Sequence, residues 1–142
     1  MPLLMAYPKC YWIWNHRLWT LQQAGTLLKP ADAAKFWAKE MDLVGVMLAR
    51  DMRNFHGWFY RRIVVGNIEN PAEGGYKSMV KEEFEYTKRM VRGVGGMTNY
   101  SAWHQRGALY PRLLAEENKD EQERMDVLED GGFGLQMMSA GR

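Results

Sequence analysis

The sequence predicts an all-α protein, a solenoid of stacked helical hairpins winding into an α–α superhelix. Three observations carry that prediction. A motif reading aromatic, two residues, Trp, two residues, Arg occurs three times, as Tyr11–Arg17, Phe55–Arg61 and Tyr100–Arg106. Its tryptophans, Trp14, Trp58 and Trp103, stand 44 and 45 residues apart, a period found among helical repeat arrays. Alternation of apolar and polar residues never persists for five residues between turn signals, so no strand pattern competes.

The elements follow in order. Within each motif copy the aromatic, the Trp and the residue seven beyond it (Leu21, Val65, Tyr110) fall on one helical face. Each copy therefore opens a buried helix, with the three tryptophans in the core. Asn54 and Asn99 stand immediately before the second and third copies as N-caps, and Pro8 punctuates the first. A second helix fills each interval. Trp37, Met41, Val44 and Leu48 recur at i, i+4, i+7 and i+11, and Val80, Phe84, Thr87 and Val91 repeat that spacing. Asp32 and Ser78 are the caps expected for these helices. Helices are predicted near 10–24, 32–51, 55–69, 78–92 and 100–117. Three repeats then occupy 8–117, followed at 118–142 by a divergent, poorly ordered tail. Between Met90 and Trp103 the chain is two residues longer than between Met47 and Trp58, and Gly93, Gly95 and Gly96 in that gap end the preceding helix.

Composition narrows the function. The 142 residues are 46% hydrophobic and 25% charged, a globular balance. A net charge of +2 gives no basic footprint for nucleic acid, which argues against RNA binding through the aromatics and arginines. No apolar run approaches the roughly 18 residues of a membrane span. The single Cys10 has no intramolecular partner, which fits a reducing, cytoplasmic setting. Arg17, Arg61 and Arg106, three residues after each Trp, suit hydrogen bonding to carboxylates or helix C-termini inside the stack, or contact with a partner. His16, His56 and His104 hold different phases of the repeat and do not make a metal set. Gly93–Gly96 is no phosphate loop, because no Lys-Ser/Thr follows it.

The repeated Tyr/Phe-x-x-Trp-x-x-Arg motif at this period resembles the α-subunit repeat of protein prenyltransferases. Pro8-Lys9-Cys10-Tyr11 with Trp14-Asn15-His16-Arg17, then Arg53-Asn54-Phe55-His56 with Trp58 and Tyr60-Arg61-Arg62, then Asn99-Tyr100-Ser101 with Trp103-His104, and finally Leu109–Leu114 look most like the type II, or Rab, geranylgeranyltransferase. The resemblance spans about Pro8 to Leu114. It implies a crescent of hairpins wrapped around a β subunit that holds the zinc and most of the isoprenoid pocket, with further hairpins on either side of these three. It implies a Rab GTPase substrate, a Rab escort protein, and no cofactor in this chain itself. Lys9 matches a lysine that reaches the isoprenoid diphosphate, where a cation stabilises charge on the departing oxygen. Tyr11 lies on the same rim. Arg53, aligned with Lys9 in the second copy, and Asn54 and His56 beside it are expected to face the partner or its peptide channel. The alternatives are the α subunit shared by farnesyltransferase and type I geranylgeranyltransferase, and a non-catalytic protein-binding scaffold.

Overall fold

The computed structural model describes residues 2–71 and 74–139, and side chains as far as residue 126. The chain runs α1 (Pro2–Ala6), α2 (Tyr11–Leu27), α3 (Pro30–Arg50), α4 (Phe55–Glu69), α5 (Val80–Arg92), a 3₁₀ turn (Gly96–Thr98) and α6 (Tyr100–Ser139), with no strand among the described residues. Helices α2 and α3 form one hairpin and α4 and α5 the next. The principal contacts between successive units are α3 on α4 and α5 on α6, with α2 also reaching α4. The predicted helices are all present, 55–69 with the same bounds.

Local chemistry accounts for the boundaries that differ. Helix α3 is capped at Lys29 and has Pro30 as its first residue, where a missing N–H is no loss, so Asp32 lies inside the first turn rather than at the cap. Helix α5 starts after Met79, whose N–H is taken by Glu69 Oε1 at 3.0 Å, while Ser78 Oγ accepts from Val80 N at 3.2 Å. The expected tail at 118–142 instead continues α6 to Ser139, leaving 140–142 outside the described residues. The stretch from Glu116 is rich in Glu, Lys, Gln, Arg and Met, all good helix formers, and Lys119–Glu123 pairs at i,i+4. Ser78 Oγ to Glu116 at 2.5 Å and Lys81 to Asp120 at 2.8 Å tie this extension back to the start of α5.

The core is one cluster in which Trp14, Leu21, Trp37, Val44, Leu48, Trp58, Tyr60, Val64, Val91 and Ala102 meet. Gly57 lets α4 approach α3 closely, since a Cβ there would stand 3.0 Å from Leu48 Cδ2. Two expectations about burial are corrected. The motif aromatics Tyr11, Phe55 and Tyr100 are exposed, because the first side chain of a helix points back past its N-terminus, beyond the neighbouring hairpin. Trp103, expected in the core with its two counterparts, is 42% exposed, and Tyr110 on the same helix is exposed too, since no following hairpin covers α6 among the described residues. Leu3, Tyr7, Trp12 and Trp19 leave the opposite end of the stack apolar and exposed as well.

The first two motif arginines tie their own hairpins internally. Arg17 grips Glu40 of α3 through two bonds of 2.8 and 2.5 Å, and Tyr60 from the next hairpin donates to the same carboxylate at 2.7 Å. Arg61 grips Glu83 of α5 at 2.9 and 2.5 Å and lies over the Tyr86 ring. Arg106 turns the other way. It donates to Phe84 O at 2.8 Å and lies over the Phe84 ring, with no carboxylate partner among the described residues.

Candidate functional site

The site grows from the bonds that join one hairpin to the next. Pro8 opens the turn between α1 and α2, closed by Cys10 N donating to Tyr7 O at 3.1 Å. The Pro8 carbonyl accepts from Trp14 Nε1 at 2.8 Å and, across the junction, from Asn54 Nδ2 at 2.9 Å. The second junction repeats this geometry. Met52 O accepts from Trp58 Nε1 at 2.8 Å and from Asn99 Nδ2 at 2.8 Å. Asn54 and Asn99 also accept from Gly57 N and Ala102 N, each at 3.1 Å, as N-caps of α4 and α6. One Asn thus starts a helix with its oxygen and fastens the previous hairpin with its nitrogen.

A cation follows each shared carbonyl in sequence. Lys9 follows Pro8. Its side chain is 77% exposed, with Nζ 3.5 Å from Asp51 Oδ2. Asp51 is steadied by Arg53 N, which donates to its Oδ1 at 3.1 Å. Beside Lys9, the Tyr11 ring lies 6.0 Å from His56, and His56 lies 5.9 Å from Phe55. The result is an exposed edge bearing one ammonium, loosely paired with Asp51, and a run of rings. Arg53 follows Met52, and its guanidinium is bonded at the surface to Gly95 O and Thr98 Oγ1.

The structure therefore brings together Lys9, Tyr11 and His56 and separates them from two other expected site residues. Asn54 is 2% exposed and sealed inside the junction, so its side chain does not face a partner or a peptide channel. Arg53 is held by the 3₁₀ turn. Asp51, Glu40, Glu83 and Tyr60 are partners that sequence reasoning missed. The two glutamates carried a usable signal, since each follows its motif arginine by 22 or 23 residues. Burial and the bond to Glu40 push the Tyr60 hydroxyl far above its ordinary range. The Glu40 hydrogen bond also raises the Arg17 pKa above its ordinary value. No group of His, Cys, Asp and Glu able to hold a metal ion occurs among the described residues.

This repeated bonding coincides with a known repeat. The family model described as protein prenyltransferase alpha subunit repeat matches residues 1–24 and 37–68. The alpha subunit named geranylgeranyl transferase type-2 in Saccharomyces cerevisiae is 49% identical over 114 residues, 80% of this chain.

The chain belongs to the protein prenyltransferase alpha subunit repeat family.

Subunits with the same name from Candida albicans and Homo sapiens are 41% and 35% identical, over 78% and 88% of this chain. The chain spans 32% of the length of the yeast subunit and 19% of the human one. The first two prenyltransferase repeats carry the matched model segments, and the junction between them carries Lys9. No described helix is long and apolar enough to cross a membrane.

Proposed function

We propose that this chain works as part of the alpha subunit of a type 2 geranylgeranyl transferase, which moves a geranylgeranyl group from its diphosphate to C-terminal cysteines of Rab GTPases in the cytoplasm. A β subunit and a Rab escort protein are its partners. The observation that carries this reading is Lys9, an exposed ammonium on a turn fastened by two hairpins, at the edge bearing Tyr11 and His56. The similarity to subunits named geranylgeranyl transferase type-2 supports the choice of prenyl group.

In the transfer a cysteine sulfur attacks C1 of the prenyl group. The new C–S bond forms as the C1–O bond breaks, and diphosphate leaves with the electron pair. Zinc, expected in the β subunit, would hold that cysteine as its thiolate at neutral pH, with the thiol proton passing to solvent. The contribution of this chain is charge. The Lys9 ammonium meets the diphosphate oxygens, where negative charge grows in the transition state. Its flexible stem lets a compact charge follow the departing group. Asp51 holds the ammonium loosely at the surface until a stronger anion arrives. Tyr11, Phe55 and His56 offer the apolar and aromatic surface that subunit interfaces favour.

The test mixes the purified chain with radiolabelled geranylgeranyl diphosphate and a Rab–escort complex, with and without a type 2 β subunit. The expected result is association with the β subunit and no turnover in its absence. Turnover without a β subunit, or failure to associate with one, overturns the proposal.

A further inference from the structure

We propose that Asn54 is a positioning residue for Lys9, and that the Asp51–Asn54 turn of the second repeat sets where the first repeat presents its charge. This rests on the reading of Lys9 above. The chemistry of the asparagine makes the case. Capping α4 requires only an acceptor, which Ser, Thr or Asp would also supply. Asn adds a donor, and that donor is aimed 46 residues back, at Pro8 O. With Trp14 Nε1 on the same oxygen, both lone pairs of the carbonyl are filled from two different hairpins. The Pro8 carbonyl lies in the planar peptide unit that also contains the N and Cα of Lys9. Holding that oxygen from two sides fixes the plane, and with it the N and Cα of Lys9 from which the side chain starts.

The far end of Lys9 is guided from the same turn. Asn54 N donates to Asp51 O at 3.0 Å, and Asp51 Oδ2 faces the Lys9 ammonium. One short segment therefore governs both the backbone under Lys9 and the resting place of its charge. Asn54 is buried beneath the exposed edge, so it acts through Lys9 and touches no substrate. The second junction supplies a matched control. Asn99 caps α6 and fastens Met52 O in the same way, but the cation it underlies, Arg53, is already bound to Gly95 O and Thr98 Oγ1.

The experiment compares Asn54→Ser with Asn99→Ser, each retaining a capping oxygen and losing the long-range donor. Two readouts are taken. One is the reaction rate of Cys10, the sole cysteine and the neighbour of Lys9, with a small thiol reagent on the chain alone. The other is single-turnover transfer by the complex with the β subunit. Both variants are expected to lower Tm to a similar extent. Asn54→Ser is expected to raise Cys10 labelling several-fold and to slow transfer by roughly tenfold or more, since a misplacement of about 1 Å can cost about 10²-fold. Asn99→Ser is expected to change neither. Equal effects of the two substitutions on Cys10 and on transfer overturn the proposal. Unchanged transfer in Lys9→Ala refutes the functional reading beneath it, and Cys10 reactivity then still decides whether Asn54 holds the turn.

Discussion

At the first junction Pro8 O receives Trp14 and Asn54, and at the second Met52 O receives Trp58 and Asn99, with all four bonds between 2.8 and 2.9 Å. The cations that follow those carbonyls have different fates. Lys9 rests against a surface carboxylate and stays available, whereas Arg53 is bound to a backbone carbonyl and a threonine hydroxyl. The extra residues before the third repeat explain the divergence. Gly95, at φ 71°, enters the left-handed region, and the 3₁₀ turn from Gly96 to Thr98 carries Gly95 O and Thr98 to the guanidinium. The shared carbonyl is thus the constant of the stack, and the loop beneath each cation decides whether that charge is structural or presented.

The sharpest way to break the comparison lies in the buried ion pairs. Arg61 and Glu83 are almost fully enclosed, whereas Arg17 in the first hairpin keeps partial access to water. Removing one partner of a buried pair strands the other, at about 3–5 kcal/mol. Arg61→Ala is therefore expected to lower stability by that amount in urea denaturation, and Arg17→Ala by clearly less, because Glu40 keeps the Tyr60 hydroxyl as a donor. Equal losses would show that the two hairpins are not graded by burial.

A smaller effect is expected at Gly96. A Cβ there would stand 2.1 Å from Met90 O, so Gly96→Ala must displace backbone. The expected loss is about 2 kcal/mol, within the usual range for a substitution that forces such a shift. Hydrogen exchange should rise around the second junction and not the first. Uniform change across both junctions would deny their independence.

The least effect is a pH dependence. Burial, followed by the Glu40 hydrogen bond, raises the Tyr60 pKa in the folded state. The protonated form is then favoured by folding, so its contribution is complete below the unfolded value of about 10 and is lost as pH rises beyond it. Tm should fall more steeply between about pH 9.5 and 11 for the wild type than for Tyr60→Phe, as read by circular dichroism. Parallel slopes would place Tyr60 in water.

Much of this architecture was legible in the sequence. Repetition of one motif at a fixed period marks a helical array, and Asn before the second and third motif aromatics marks a helix start, because both depend on local spacing. The residues that went astray depend on contacts made far along the chain. Asn54 reads as a surface neighbour of His56 until Pro8 O, 46 residues away, is seen to claim its amide. Asp51 carries no motif and gains its role only where α3 ends beside the first turn. Tyr11 and Phe55 share a helical phase with the buried Trp14 and Trp58, and only the position of each helix end shows that they look outward. Lys9 became a candidate through family resemblance, and the geometry now separates it from its counterpart Arg53.

That separation is tested most directly by comparing Lys9→Ala with Arg53→Ala in the complex with the β subunit, measuring single-turnover transfer and subunit affinity together. Removing one preorganised donor to a developing anion typically costs about 10²–10³ in rate. Lys9→Ala is expected to slow transfer toward that range with affinity unchanged, and Arg53→Ala to lower Tm while leaving the rate within about threefold, since a rate change that small corresponds to well under 1.36 kcal/mol in the barrier. Equal rates for the two variants, or a wild-type rate in Lys9→Ala, would contradict the claim that only the first junction presents its charge.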